Sequence, residues 1–133
     1  MNTKAQIFIL IAVLLLAGLP SGCAGIGAPL DQKDVDRIEQ QIRQEIEKTY
    51  PLPETGTIKT HVGDNVTFST RLGMDEVVAF YRTAYAGLQF SESPDSRVSA
   101  GNASLVFQKA GEKDVLVDVI ALETSCAVHL RMK

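Results

Sequence analysis

The chain has 133 residues, a formal net charge of −3, no tryptophan and two cysteines. A length of this order suits one small domain. The acidic balance argues against a nucleic-acid binder, which needs a basic patch, and no polybasic segment is present to hold anionic lipid.

The first charge after Lys4 is Asp31. Between them, Ile7 to Leu16 consists of Ile, Leu, Val, Phe and Ala. A membrane-spanning helix needs about 20 apolar residues. Pro20, Ser21 and Gly22 end this run early. A short apolar core followed by small residues predicts a secretory signal over residues 1–22.

The small residues stop at a cysteine, in Leu19-Pro20-Ser21-Gly22-Cys23. This arrangement resembles the lipobox of bacterial lipoprotein precursors, with Pro20 standing where that family usually has Leu. The resemblance implies that the thiol of Cys23 receives a diacylglycerol, that the peptide before it is cut, and that the new N-terminus is acylated, palmitate being a typical chain. Each buried CH₂ contributes about 0.8 kcal/mol, so two or three chains give a stable anchor. By the family's sorting habit, Ala24 implies the outer membrane in a two-membrane cell; a cell membrane is the alternative. Either way the domain faces the extracytoplasmic space. The other reading of the segment is an ordinary secretory signal with a chance cysteine.

Residues 23–30 form the lipidated cysteine and a Gly/Ala-rich tether. Gly25 and Gly27 lack the preceding strand and third glycine of a dinucleotide loop. Residues 31–50 predict a helix. Asp31 suits the N-cap and Asp34 the first turn. Glu39–Arg43 and Arg43–Glu47 are favourable i,i+4 pairs. Pro51 stops the helix. Its apolar stripe, Val35, Ile38, Ile42 and Ile46, is thin, which fits light packing or a stalk of roughly 30 Å.

Residues 51–56 are a Pro-rich break, and residues 57–133 are read as an α+β domain. Thr57–Val62 and Val66–Thr70 predict two strands around Gly63-Asp64-Asn65, from β-branched content and turn chemistry. Met74–Leu88 predicts an amphipathic helix: Met74, Val77, Val78, Tyr81, Ala84, Tyr85 and Leu88 recur at helical spacing. Gly73 suits its N-cap and Gly87 a left-handed end. Ser91–Ala103 reads as loop. Strands follow over Ser104–Lys109, Asp114–Leu122 and Cys126–Met132.

The expected fold is therefore α+β: an antiparallel sheet of about five strands in the order ββαβββ, one helix packed on it, and an N-terminal helix before it. Val77-Val78-Ala79-Phe80-Tyr81-Arg82, after a strand and before a three-strand meander, resembles domains of small uncharacterised bacterial lipoproteins. That resemblance implies no activity.

Few residues carry chemistry. His61 and His129 are the only histidines, and a catalytic zinc wants about three protein ligands. No metal or other cofactor is expected. No G-x-S-x-G elbow exists, and no catalytic residue is assigned. Asn65-Val66-Thr67 and Asn102-Ala103-Ser104 match glycosylation sequons, read as coincidence beside a bacterial-type signal. With Cys23 lipidated, Cys126 is left as an unpaired thiol among apolar neighbours, read as buried and inert, against a reactive thiol or an intermolecular disulfide.

The last hairpin fixes a register. Placing residue 121 opposite 126 aligns Val119 with Val128, Val117 with Leu130 and Val115 with Met132 as one apolar row. It sets Asp118 against His129 and Leu116 against Arg131 on the other face. A one-residue slip puts the Asp118 carboxylate into the apolar row, which is expensive. Asp118 and His129 are thus a cross-strand pair, or alternatively an acid/base pair. The strand is largely apolar on both faces. One face meets the helix; the other is expected under the N-terminal helix, or else forms a partner surface or ligand groove.

These residues predict a non-enzymatic lipoprotein anchored in a membrane and binding an envelope protein partner. A binder of small apolar ligands, in a groove between helix and sheet, is the alternative. A hydrolase is a third class and requires a polar cleft with base and nucleophile.

Overall fold

The computed structural model describes Pro29 and residues 31–133. The expected signal peptide, Cys23 and all but Pro29 of the tether lie outside the described residues. The described residues divide into two units between Ile38 and Glu39. The long first helix, α1 (Gln32–Glu47), gives its first residues to one unit and the rest to the other.

In the first unit the helix begins where the Asp31 carbonyl accepts from the N–H groups of Asp34 and Val35. Gln32 donates to Asp36 at 2.9 Å and Arg37 pairs with Asp34 at 3.6 Å.

In the second unit α1 ends at Glu47, three residues short of the expected Tyr50. The N–H groups of Thr49 and Tyr50 both bond the Ile46 carbonyl, closing a last turn. Tyr50 precedes a proline and so leaves the helical region. Of the two expected ion pairs on Arg43, the one to Glu47 forms, at 2.8 Å. The same guanidinium donates to the Gly56 and Pro53 carbonyls at 2.8 and 2.7 Å, pinning the Pro-rich break to the helix.

The sheet is antiparallel throughout. Its strands are β1 (Thr57–Val62), β2 (Asn65–Thr70), β3 (Ser91–Glu92), β4 (Arg97–Val98), β5 (Asn102–Gln108), β6 (Val115–Ala121) and β7 (Cys126–Met132). They lie in the order β1-β2-β7-β6-β5-β3, with β4 also on β5. Seven strands replace the expected five. The two additions, β3 and β4, come from the segment read as loop, and they follow the second helix, so the order of elements differs from ββαβββ. A two-residue strand has no alternation to detect; only pairing with β5 makes β3 and β4 strands. The turn before β2 uses Gly63 at φ 58°, a left-handed conformation that costs glycine little.

Helix α2 (Met74–Gly87) crosses one face. Its entry is extended at Gly73, whose N–H donates to the Glu76 carboxylate at 2.8 Å. Its exit differs from expectation. Gly87 stays helical and Gln89 takes the positive φ, 66°. The Gln89 N–H bonds the Ala86 carbonyl and the Phe90 N–H bonds the Tyr85 carbonyl. This is a Schellman closure with Gln89 in the left-handed position, and Phe90 packs on Tyr85 with ring centroids 5.4 Å apart. Leu88 falls at the cap and is exposed, although its spacing put it on the stripe.

Of the rest of the stripe, Met74 and Ala84 are half-buried and four residues are fully buried. Val77, Val78, Tyr81 and Tyr85 are buried against Leu105, Phe107, Val117 and Val128. Tyr85 stacks on Phe107 at 4.6 Å between centroids. Ile46, Tyr50 and Leu52 join this same core. Two helices, rather than one, therefore feed the core.

Candidate functional site

The face of the sheet away from this core is open. On β6, Val115, Val117 and Val119 are buried, while Leu116 and Asp118 are half-buried and Ile120 is 55 % exposed. The expectation that α1 covers this face is corrected: its last turn enters the core with α2. Ile46 is 1 % exposed there, beside Tyr50 at 2 %. An amphipathic stripe states that a helix face is buried, not which side of a sheet buries it.

Pairing lines up one polar row across this open face. Thr60 stands opposite Thr67, Thr67 opposite His129, His129 opposite Asp118, Asp118 opposite Ser104, and Ser104 opposite Arg97. The β6–β7 register is the one the apolar rows demanded, with Ala121 opposite Cys126 and Leu116 opposite Arg131. Asp118 and His129 thus share a row.

The contacts of the Asp118 carboxylate are with other groups. Ser104 Oγ donates to Oδ1 at 2.6 Å, and an Arg131 nitrogen lies 3.3 Å from Oδ2. Arg131 reaches it on the diagonal, since its direct partner is Leu116. The register already placed Arg131 two residues from Asp118, so this contact had a signal in the sequence. Ser104 had none, because its place depends on how β5 pairs.

In this geometry Ser104 donates to a carboxylate that is itself ion-paired. In nucleophilic catalysis the serine proton goes to a base which a third group orients. Here the Ser104 proton goes to a carboxylate that Arg131 already neutralises. The row leaves imidazole, guanidinium and hydroxyl groups facing outward, with Leu116, Val106, Ala127 and Ile120 between them.

The groove expected between helix and sheet is filled by the side chains of Val77, Tyr81, Tyr85 and Phe107. The hydroxyls of Tyr81 and Tyr85 are buried with no hydrogen-bond partner among the described residues. Burial raises both phenols well above their ordinary value, and pushes Tyr50 up to about 12. Tyr50 donates to the Asp64 carbonyl.

Cys126 is a free thiol, 2 % exposed, and burial raises its pKa. It is held as the protonated, unreactive form. His61 is half-buried on β1, in another row from His129. Among the described residues no three His, Cys, Asp or Glu side chains gather as metal ligands. Among them, too, no helix is long and apolar enough to cross a membrane.

Comparison of the chain with models of protein families, with curated proteins and with solved structures found no match in any of the three.

Proposed function

We propose that this chain is a lipoprotein held in a membrane through Cys23, and that its open sheet face receives a protein partner at the cell envelope. The anchoring half of the reading rests on the sequence Leu19-Pro20-Ser21-Gly22-Cys23 after a short apolar run. The binding half is carried by one observation: the same strands that bury Val117 and Val128 completely leave Ile120 and Arg131 exposed and His129 half-buried on their other side. A sheet face with apolar groups between charged ones gains by being covered.

The anchor is tested by Cys23→Ser. Wild-type protein should partition into the detergent phase and take up labelled palmitate. The variant should lose the label and appear as soluble or uncleaved material. Label persisting in Cys23→Ser contradicts the anchor and leaves an ordinary secretory signal.

A further inference from the structure

We propose that a depression at one end of the sheet is a binding site for a small oxyanion, such as a phosphate, sulfate or carboxylate group. The depression has a volume of about 370 Å³. Thr55 and Thr57 line it where the chain enters β1, Ser69 and Thr70 where β2 ends, and Thr124 and Ser125 in the turn between β6 and β7. Arg71 completes it.

The donor set points to the ligand class. Six of the seven lining residues carry a hydroxyl and the seventh is an arginine. Every lining side chain carries a hydrogen-bond donor, and no carboxylate is among them. A neutral sugar is ordinarily held by stacking on an aromatic ring and by carboxylate or amide acceptors, and neither lines this depression. An oxyanion asks for donors alone.

Arg71 is exposed, and among the described residues no carboxylate lies within ion-pair distance of it. The other arginines have claimed partners. Arg43, Arg82 and Arg131 pair with Glu47, Glu92 and Asp118, Arg37 with Asp34, and Arg97 donates to its own loop carbonyls. A guanidinium suits planar and tetrahedral oxyanions because it offers two parallel donors.

The hydroxyls are organised. The Leu72 N–H donates to Thr70 Oγ1 at 3.3 Å, and Thr70 Oγ1 lies 2.7 Å from Thr55 Oγ1. Thr70 is 2 % exposed, whereas Thr55 is exposed. Either hydroxyl can donate in the Thr55–Thr70 bond; with Thr70 donating, the Thr55 proton is left to donate outward and each bond polarises the next. Glu54 and Glu123 adjoin Thr55 and Thr124 in the chain.

The test is an amide NMR titration of the full chain in detergent. Inorganic phosphate, acetate and glycerol phosphate are added separately, with chloride holding ionic strength constant. The site predicts saturable shifts at residues 69–71 and 124–125. Arg71→Gln should weaken the dissociation constant about tenfold or more, the scale of losing a charge-assisted hydrogen bond. Arg82→Gln, a control guanidinium on α2 outside the depression, should leave it unchanged. Stronger response to glycerol phosphate than to phosphate identifies an esterified headgroup as the source. An equal response identifies a free anion, and both orders support the site. Shifts that do not saturate, that appear equally at every arginine, or that survive Arg71→Gln overturn it.

Discussion

The two faces of strand β6 share one backbone and have opposite fates. Val115, Val117 and Val119 point into a core where none is more than 2 % exposed. Leu116, Asp118 and Ile120 alternate with them on the other face, the first two half-buried and the third exposed. The closed face is held by buried apolar area. The open face is held by pairwise contacts around Asp118, and its groups remain available. The difference separates what makes the domain fold from what it offers to other molecules.

The largest expected effect tests the closed face. Tyr81→Ala should destabilise the domain by about 3 kcal/mol, while Ile120→Ala on the open face should cost within about 0.5 kcal/mol. Chemical denaturation of the two variants reads this directly. Similar losses in both would mean that Ile120 is covered and the face is closed.

A second effect follows from the placement of the tyrosines. The chain has three, and all are buried. Burial disfavours the phenolate, holding Tyr50 at about 12 and the other two higher still. The unfolded chain ionises near the ordinary value of 10.0. The tyrosines' contribution to stability is therefore complete below that pH and is lost as pH rises through the folded values. Alkaline absorbance titration should show no phenolate near the ordinary value until the protein unfolds. A tyrosine titrating normally would place it outside the core.

The smallest effect concerns the open face itself. Asp118 is part exposed, so Asp118→Ala should cost roughly 1 kcal/mol or less, from the lost Ser104 and Arg131 contacts. A loss of several kcal/mol would make Asp118 a structural element of the core.

Much of this contrast was legible in the residues. The alternation Val115, Val117, Val119 against Leu116, Asp118, Ile120 fixed the hairpin register, because a slip buries a carboxylate. The α2 stripe named Val77, Tyr81 and Tyr85 because helical spacing reports burial. What failed depends on long-range placement. The side of the sheet that α1 enters is set by Arg43 reaching Pro53 and Gly56, which periodicity does not encode. The short strands β3 and β4 exist through β5. Ser104 meets Asp118 through a pairing between distant segments. The helix stop moved from Gly87 to Gln89, where a Tyr85–Phe90 contact outweighed the preference for glycine. The depression around Arg71 is assembled from three separate stretches of chain and leaves no local pattern.

We propose that the open face is where this protein meets its partner. Photo-crosslinking residues placed singly at Thr67 and Ile120, and at Thr83 and Ala86 on the solvent side of α2, compare the two sides in native membranes. The account predicts a discrete crosslinked protein from Thr67 and Ile120 and none from Thr83 or Ala86. Crosslinks from α2 alone, or none from the open face, would contradict it.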